Sequence, residues 1–428
     1  MPSSFEFSPV KLVYGGEALG FQAGRTVLTP RVLPGERVEV EKVRRQKGVI
    51  HAIPLRILEP SPARVEPPCR YFGRCGGCQY QHLAYPAQVE AKTEILRETL
   101  RRLGQVKWDG AIPAHSGPAW NYRNQARMKV GRSSEGAPAL GFFEAESNRL
   151  VPIDACPILS PRLNALLAVL GREPWVSRLA KGREVELLAD DRDEKVMLTL
   201  YGNQNGEEAE ALARACLTQL EGVVTVAIAQ DRAVQVFGEP HLTYRAGEFA
   251  YRLSPTSFFQ SARFMLSELV AAVAGEPSGA VAMDLYAGVG LFTLPLSRRF
   301  DEVIAVEAHP PAAADLAANA RATDGKKIRA IHGATFDFLR RCAQMDPDLV
   351  VMDPPRAGVG AGTLKLLLAL RPKRLHCISC SPPTLARDLG FLLQHDYRLD
   401  TLELFDCFPH TYHIESLARL SRIGGEGP

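Results

Sequence analysis

The sequence lacks long hydrophobic runs, and it carries little net charge. Its apolar runs, such as Leu366–Leu370, fall far short of the ~20 residues that a membrane-spanning helix needs, which excludes a helical membrane protein. The opening residues MPSSFEFSPVK contain no basic segment followed by an apolar core, so we expect no secretory signal and a cytoplasmic protein. The 51 Lys and Arg nearly balance the 48 Asp and Glu, and a net charge of +3 does not by itself indicate a nucleic-acid-binding protein.

Cysteine is also scarce, with nine residues in a chain of 428. An odd number of cysteines without a signal favours reduced thiols, metal ligands or catalysis over a disulfide framework. The 46% hydrophobic and 23% charged residues are typical of a soluble globular protein. At ~150 residues per domain, the length predicts about three domains, and we expect a monomer.

Residues 1–60 have the pattern of several short strands. Alternating apolar positions are interrupted by glycine turns, which predicts a small barrel of the OB type. Such barrels often bind nucleic acid, and the stretch from Arg37 to Lys47 contains five basic residues. Three glutamates are interleaved with these charges, so a solvated strand pair is an equally good interpretation.

A proline-rich segment, SPARVEPP, separates this region from residues 61–254. Here we predict a helix over 86–103, and then a mainly β region with helices at 161–171 and 206–219. Between residues 101 and 132, seven basic residues stand against a single acid. Aromatic side chains beside arginines can stack on unpaired bases, although a solvated basic face is the alternative.

From about Pro255 the pattern changes to helices that alternate with apolar strands. We predict a helix over 258–275, followed by strands in AVAMDLY, EVIAVE, DLVVMDPP and RLHCISC, each separated from the next by a helix. This rhythm is typical of βαβ units, so the fold class is α/β, with a doubly wound, Rossmann-like parallel sheet in residues 255–428.

The first motif, Asp284-Leu-Tyr-Ala-Gly288-Val-Gly290, follows a buried strand. Glycines at that place let the backbone approach a nucleoside, and Glu307, at the end of the next strand, can accept hydrogen bonds from both ribose hydroxyls. Thr293 stands where a third glycine would favour a pyrophosphate, which lowers the case for NAD. S-adenosylmethionine (SAM) fits better, and a tight strand–helix turn is the alternative.

The second motif is Asp353-Pro-Pro-Arg356, at the end of the strand LVVMD. Ligands of open α/β sheets bind at this edge, and the two prolines stiffen the position of the carboxylate. Enzymes that methylate exocyclic amines of bases commonly place an aromatic residue where this chain has Arg356. The motif is therefore compatible with a different target, either an aliphatic or phosphate-rich group or a base that is attacked by another route.

The third constellation combines Cys380, at another strand end, with Glu415. C5 of uracil is weakly nucleophilic. Addition of a thiolate to C6 would activate it for methylation, and a base must then remove the C5 proton. Taken alone, Cys380 is more often a small buried hydrophobic residue, and Glu415 a surface or ion-paired acid.

A cysteine triad, Cys69-x5-Cys75-x2-Cys78, supplies three ligands for a metal centre. Cys156 is the best candidate for a fourth, and the proline after it is frequent at iron–sulfur ligands. We favour a [4Fe–4S] cluster. Zinc is the alternative, although its structural sites usually pair their ligands at shorter spacings.

Together these elements resemble the RNA uracil-5-methyltransferase family, most closely its 23S ribosomal RNA branch. The resemblance covers nearly the whole chain and rests on the cysteine triad with Cys156, Phe258-Phe259-Gln260, DLYAGVG, VIAVEA, DPPRAG, CISCSPPTLARD and HIESLARL. It implies a TRAM RNA-binding barrel at 1–60, an iron–sulfur and central RNA-binding domain at 61–254, and a SAM-dependent methyltransferase domain at 255–428.

The resemblance also implies roles for single residues. SAM would be bound by Gln260, Tyr286, Glu307 and Asp353. Cys380 would be the nucleophile and Glu415 the base. The cluster, with a structural and RNA-positioning role, would be held by Cys69, Cys75, Cys78 and Cys156.

Three positions depart from the family pattern. Ala287 replaces a Cys that is frequent in the glycine motif, and little function is expected to depend on it. Ser381 replaces the Asn that usually follows the nucleophile, so a contact to the uracil edge is expected to be altered or moved. Ala334 stands where an Asp often faces the adenine, so we expect either weaker SAM affinity or a compensating contact from Thr335.

The sequence therefore predicts methylation of C5 of a uridine in 23S ribosomal RNA. The same chemistry on transfer RNA is the first alternative. A non-catalytic RNA-binding protein is the second, and the presence of both Cys380 and Glu415 disfavours it.

Overall fold

The computed structural model describes residues 4–202, 206–230, 233–323, 327–342 and 345–424. Their strands form four β-sheets of six, seven, two and eight strands. Among the helices of this described part, none combines the length and the apolar character needed to cross a membrane.

The first sheet is curled and occupies the N-terminal region, as the glycine-punctuated pattern predicts. Its strands run in the order β1-β5-β6-β4-β3-β2. Alternation along β5 places Val38 and Val40 in the core, so the polar residues between them face outward. The strands are β1 (Ser4–Phe7), β2 (Pro9–Leu12), β3 (Glu17–Gln22), β4 (Arg25–Pro30), β5 (Arg37–Gln46) and β6 (Val49–Glu59).

The cysteine segment leads into a long helix, α1 (Tyr85–Gly104), which matches the helix predicted over 86–103. The helix packs on the last helix of the C-terminal sheet so closely that a side chain on Gly104 would lie 2.2 Å from the carbonyl oxygen of Ala386. After α1, a two-residue strand, β7 (Ala114–His115), joins the edge of the C-terminal sheet. The segment before the middle sheet is therefore built into the C-terminal body.

The middle sheet has seven strands in the order β10-β9-β8-β11-β12-β13-β14. Its core is formed with leucines of the helix at 161–170 and with Ala209, Ala213 and Cys216 of the helix at 206–219, and the sequence predicts both helices. The elements are β8 (Gln125–Arg132), β9 (Pro138–Phe143), β10 (Leu150–Pro152), α2 (Pro161–Leu170), α3 (Trp175–Leu179), β11 (Gly182–Ala189), β12 (Val196–Gly202), α4 (Gly206–Gln219), β13 (Val223–Gln230) and β14 (Ala233–Gly238).

A two-stranded hairpin, β15 (Leu242–Ala246) and β16 (Phe249–Leu253), follows the middle sheet. Its apolar side chains share a core with the C-terminal sheet, although the sequence analysis assigned these residues to the central domain. The three domain ranges stay predictions.

The C-terminal sheet confirms the predicted α/β architecture. Its order is β19-β18-β17-β20-β21-β23-β22-β7, in which β17 to β21 are parallel and β23 is antiparallel to both neighbours. The elements are α5 (Leu266–Ala274), β17 (Gly279–Leu285), α6 (Thr293–Leu296), β18 (Phe300–Glu307), α7 (Pro310–Ala322), β19 (Ile328–His332), α8 (Thr335–Arg341), β20 (Leu349–Met352), α9 (Ala361–Ala369), β21 (Arg374–Ser379), α10 (Pro382–Leu393), β22 (Tyr397–Phe405) and β23 (Glu415–Arg422).

The helix predicted over 258–275 is wrong in its first half, because α5 begins only at Leu266. In the segment before α5, the amide of Ser254 and the hydroxyl of Ser257 donate hydrogen bonds to the carboxylate of Asp315, at 2.6 Å and 2.7 Å. Thr256 between them has φ +70°. These contacts hold the chain in an irregular path that turns Gln260 into the interior.

Candidate active site

The predicted catalytic and SAM-binding residues come together at the carboxyl edge of the C-terminal sheet. The parallel strands β17, β18, β20 and β21 all end there, and the strand order reverses direction at β17. Such a reversal opens a crevice for ligands. Because β23 is antiparallel to β21 and pairs Ser416 with Ser379, its first residue, Glu415, lies at the same edge as Cys380.

Cys380 is partly buried beside two acidic side chains. Burial raises the pKa of its thiol to about 11, and the negative charges of Glu415 and Asp353 add to this. Arg356 acts in the opposite direction and favours the thiolate. The free protein therefore holds Cys380 mainly as a thiol, and Arg356 is the nearby cation that can activate it.

Glu415 is buried, with 2% of its surface exposed, and its Oε1 atom has no hydrogen-bond partner in the described part of the chain. Burial raises its pKa well above the usual range, the charge of Asp353 raises it further, and Arg356 lowers it. A carboxylate in such a place gains free energy by taking up a proton. This is the property required of a base that removes a proton from carbon.

Asp353 follows β20 and lies between the nucleophile and the glycine loop. Burial raises its pKa to about 7, while a hydrogen bond from the side chain of Gln260 lowers it. The irregular segment before α5 therefore places the Gln260 side chain near the Asp353 carboxylate. The sequence predicted both residues as ligands of SAM, and the structure places them near each other.

The glycine loop between β17 and α6 connects to the end of β18. The amide of Gly288 donates to Glu307 Oε2 at 2.8 Å, and the amide of His309 donates to Oε1 at 2.6 Å. Each oxygen keeps a second lone pair, so Glu307 remains able to accept hydrogen bonds from a ribose. Gly288 has φ +56°, and a Cβ atom there would meet nothing within 4 Å, which leaves open space above the loop.

Tyr286 begins the loop with φ +65°, a conformation that a bulky residue adopts only under constraint. Its hydroxyl lies near the side chains of Thr335 and Thr363. Thr335, the residue after Ala334, is therefore a neighbour of a proposed SAM ligand. Open space, a ribose acceptor and the Gln260–Asp353 pair together suit a bound nucleoside.

Below the loop, Asp284 is completely buried and accepts a hydrogen bond from the Thr293 hydroxyl at 2.5 Å. Burial raises the pKa of Asp284 to about 7, and the charges of Asp353 and Glu307 contribute. The threonine that argued against a pyrophosphate site is thus a structural partner of this acid.

The four cysteines of the predicted cluster lie in one region. Cys78 is close enough to Cys69, Cys75 and Cys156 to interact electrostatically with each of them. The amide of Cys156 is held by Asn164 Oδ1 at 2.8 Å. In the described ranges, no three Cys, His, Asp or Glu side chains are grouped as ligands of a single metal ion. The iron–sulfur site therefore stays a prediction.

The basic stretch of residues 101–132 does not form one free surface. Arg127 and Lys129 both pair with Glu184 on β11, and the Arg127 guanidinium also lies 3.8 Å from the ring centre of Tyr201. A count of charges along the chain could not reveal this neutralisation, because Glu184 is more than 50 residues away in sequence.

Sequence reasoning missed three further side chains at the site, namely Tyr14, Tyr412 and His413. Tyr14, from the N-terminal sheet, lies near Cys380, Ser381 and Tyr412. The Arg356 guanidinium lies 3.4 Å from His413 Nε2, and burial together with Arg356 lowers the pKa of His413 to about 4. The imidazole is therefore neutral at neutral pH. Only His413 had a signal, namely its place in the quoted HIESLARL motif.

Comparisons with known proteins show the family to which the chain belongs. A family model described as tRNA (Uracil-5-)-methyltransferase matches residues 84–423. The chain is 32% identical to an uncharacterized RNA methyltransferase of Gloeobacter violaceus, covering 96% of this chain and 95% of the relative. It is 33% identical to the 23S rRNA (uracil(1939)-C(5))-methyltransferase RlmD of Alkalilimnicola ehrlichii, covering 98% and 96%.

A similar solved structure is that of the tRNA (uracil-54, C5)-methyltransferase of Pyrococcus abyssi in complex with S-adenosyl-L-homocysteine. The two share 23% sequence identity with a TM-score of 0.75, over 97% of this chain and 100% of the other. That likeness shows that the fold is shared. By the family model and the relatives, this chain belongs to the RNA uracil-5-methyltransferase family and is a SAM-dependent RNA methyltransferase.

Proposed function

We propose that this protein methylates C5 of a uridine in 23S ribosomal RNA through a covalent adduct with Cys380. The placement of Glu415 beside Cys380, across the β21–β23 pair, carries the proposal. It puts a nucleophile and a base at one edge of the sheet, next to the glycine loop. A cysteine and a carboxylate are the minimum that C5 methylation of uracil requires.

In the proposed reaction, the Cys380 thiolate forms a bond to C6, and the electron pair of the C5–C6 double bond moves into an enolate that makes C5 nucleophilic. When bound, SAM supplies the methyl group that C5 takes up. Glu415 then removes the C5 proton, the C5–C6 double bond re-forms, and the bond between C6 and sulfur breaks. Cys380 leaves as a thiolate and regains the proton that its thiol lost before the attack, while Glu415 releases the C5 proton, so both groups return to their starting states.

Binding of SAM is assigned to Gln260, Tyr286, Glu307 and Asp353. Glu307 has oxygen lone pairs left for the ribose. Gln260 and Asp353 form a polar pair between the loop and Cys380, and Tyr286 stands at the start of the loop. Their position would let a methyl donor meet a uracil attached to Cys380 at the same edge of the sheet.

We also propose that Cys69, Cys75, Cys78 and Cys156 hold a [4Fe–4S] cluster. Electrostatic contact of Cys78 with the other three supports a common site. A cubane spreads its four ligands further apart than a single ion does. The x5 and x2 spacings of the triad, with a distant fourth cysteine, differ from the short ligand pairs of structural zinc sites and favour a cluster over zinc. Because Cys156 lies between β10 and α2 of the middle region, the cluster would tie residues 69–78 to that region.

The choice of ribosomal RNA rests on the relatives named for 23S rRNA, which match nearly full length at 32–33% identity. Transfer RNA is the alternative, since both the matching family model and the similar solved structure carry names for tRNA. The relatives with the stated 23S name are 32–33% identical to this chain, against 23% for the solved tRNA methyltransferase, and this favours rRNA.

Mass-spectrometric mapping of 5-methyluridine in 23S rRNA and tRNA tests the proposal. The RNA comes from a strain without the gene and from the same strain carrying wild-type protein or Cys380→Ala. We expect one or more sites in 23S rRNA to lose the methyl group on deletion and to regain it only with the wild type. If deletion removed 5-methyluridine only from tRNA, the substrate would be tRNA instead of 23S rRNA. If neither RNA lost a methyl group, the proposed function would be refuted.

A further inference from the structure

The turn between β2 and β3 carries a tyrosine from the N-terminal sheet into the active site. Tyr14 stands in this turn, which is closed by a hydrogen bond from the Val13 amide to the Glu17 carbonyl at 2.9 Å. Two glycines follow it, with φ +111° at Gly15 and +92° at Gly16. These conformations allow a turn tight enough to project the Tyr14 side chain away from its own sheet.

The projected turn fits against two other parts of the molecule. A Cβ atom on Gly16 would lie 2.8 Å from Gln79 Cγ and 3.5 Å from a ring carbon of Tyr412, so only glycine allows this approach. The Tyr14 and Tyr412 rings meet edge to face with their centres 5.5 Å apart. Tyr412 in turn lies three residues before Glu415. The N-terminal sheet is therefore in direct contact with the segment that leads to the base.

The hydroxyl of Tyr14 faces the nucleophile end of the site. It lies near the Ser381 side chain, and close enough to Cys380 and Arg356 for electrostatic interaction. Ser381 is 8% exposed and precedes α10, but its side chain makes no capping bond to that helix. Its hydroxyl is thus left for a different partner.

A base attacked at C6 by Cys380 has to lie next to the following residue, Ser381. A hydroxyl can both donate and accept a hydrogen bond, which suits the alternating oxygen and N–H groups along the edge of uracil. Tyr14 and Ser381 together offer two such hydroxyls, and the Tyr14 ring shields them on the side of the N-terminal sheet.

We propose that Tyr14 is a substrate-positioning residue whose hydroxyl, together with that of Ser381, holds the polar edge of the target pyrimidine while C6 faces Cys380. This inference rests on the proposed function. It makes the N-terminal sheet part of the active site, in addition to any part it has in binding RNA at a distance. It also supplies the contact that a shorter Ser381 side chain loses relative to Asn.

The test compares Tyr14→Phe and Tyr14→Ala with wild type and with Phe21→Ala. Phe21 is a matched control because it is an aromatic residue of the same sheet that is 61% exposed. The rate of adduct formation is measured with saturating RNA that carries 5-fluorouridine at the target, which has no C5 proton to lose. RNA affinity is measured separately by filter binding, and the fold is checked by thermal unfolding.

We expect Tyr14→Phe to slow adduct formation about tenfold, the value of one lost hydrogen bond, with RNA affinity unchanged within about twofold. Tyr14→Ala should be slower still, and Phe21→Ala should match the wild type. Ser381→Ala combined with Tyr14→Phe should slow the reaction less than the product of the two single effects, because both remove one shared arrangement.

An unchanged rate in Tyr14→Phe would overturn the inference, whether or not Tyr14→Ala is slow. So would a loss of RNA affinity with a normal rate at saturation, because that result places Tyr14 in distant RNA binding. Failure of the proposed function has a different signature, since the wild-type protein itself would then form no adduct on any uridine.

Discussion

Lys92 Nζ lies 2.6 Å from Asp406 Oδ1, and both side chains are completely excluded from solvent. Lys92 stands on α1, whereas Asp406 follows β22, so the pair joins the helix after the cysteine segment to the C-terminal sheet. The same ammonium donates to the carbonyl oxygen of Phe408 at 2.9 Å. One turn earlier, Gln88 Oε1 accepts from the amide of His410 at 2.8 Å. Helix α1 thus holds the segment that leads to Tyr412 and Glu415.

Removal of one member of this pair should cost much of the stability of the fold. Lys92→Met leaves the Asp406 carboxylate buried without its cation, and such a change typically costs about 3–5 kcal/mol. Burial lowers the pKa of Lys92, whereas the negative charge of Asp406 raises it and so favours the charged ammonium form. Urea denaturation of Lys92→Met and Asp406→Asn measures the loss.

The control is Arg214→Ala, which removes an exposed pair with Glu210 on α4. Exposed pairs contribute less than about 1 kcal/mol, so this variant should unfold almost like the wild type. The double variant Lys92→Met/Asp406→Leu should regain much of the lost stability, because no buried charge is left. Equal losses in Lys92→Met and Arg214→Ala would contradict the assigned importance of the buried pair.

The reaction of Cys380 should speed up with pH. Its pKa is raised to about 11, first by burial and then by Glu415 and Asp353, so the thiolate fraction grows throughout the range below that value. Adduct formation should rise by up to about tenfold per pH unit between about pH 7 and 9. Single-turnover kinetics with 5-fluorouridine RNA measure the slope. A rate that does not change over this interval would show that the thiol is activated in another way.

Arg356→Gln should slow adduct formation, because Arg356 lowers the pKa of Cys380 and its removal raises that pKa. At every pH below the pKa, each unit of increase leaves about tenfold less thiolate. The assay uses saturating RNA so that a lost phosphate contact does not enter the rate. Arg321→Gln, an exposed arginine near the end of α7, is the control and should leave the rate unchanged. A normal rate in Arg356→Gln would remove this cation from the mechanism.

Glu415→Gln should trap the covalent adduct on ordinary uridine RNA. The amide has nearly the same shape as the carboxylate but cannot take up the C5 proton, so Cys380 cannot leave. Loss of a general base typically costs about 100-fold or more in turnover. Denaturing gels that show protein–RNA conjugate, together with methyl-transfer assays, measure both effects. Glu276→Gln, an exposed glutamate after α5, serves as the control, and low turnover without conjugate would assign Glu415 an earlier role.

The C-terminal half was readable from the sequence because its signals are local. Asp284, Glu307 and Asp353 each follow an apolar strand, and parallel strands that end at one edge bring such residues together. Tyr14 had no comparable signal, because its neighbour Ser381 is more than 360 residues away. Lys92 looks like any lysine of a helix until its buried face is known. The irregular path before α5 depends on Asp315, on another helix, and local periodicity cannot show such a contact.

The metal content of the purified protein tests the proposed iron–sulfur cluster. Protein purified without oxygen should contain about four iron atoms per chain, and Cys78→Ser should lose them together with much of its stability. Cys78 is the informative position because it interacts with the other three cysteines. Cys216→Ser changes a buried cysteine of α4 and should keep the iron. One zinc atom and no iron in the wild-type protein would show that the four cysteines hold zinc and not an iron–sulfur cluster.

Gly16 and Gly24 form a matched pair for testing how the N-terminal sheet is seated on the active site. Both have positive φ, +92° and +73°, so alanine brings a similar conformational penalty of about 1–2 kcal/mol at either position. They differ in their surroundings. A Cβ atom on Gly16 would lie 2.8 Å from Gln79 Cγ, whereas one on Gly24 would meet nothing within 4 Å.

Gly16→Ala should therefore destabilise the protein by about 1–3 kcal/mol more than Gly24→Ala, the usual cost of overpacking. It should also slow adduct formation at saturating RNA, because the turn that carries Tyr14 is pushed away from Gln79 and Tyr412. Gly24→Ala should lose stability alone and keep the rate of the wild type. Urea denaturation and single-turnover kinetics separate the two effects. If both variants kept the wild-type rate, the close approach at Gly16 would matter for folding but would have no part in positioning the substrate.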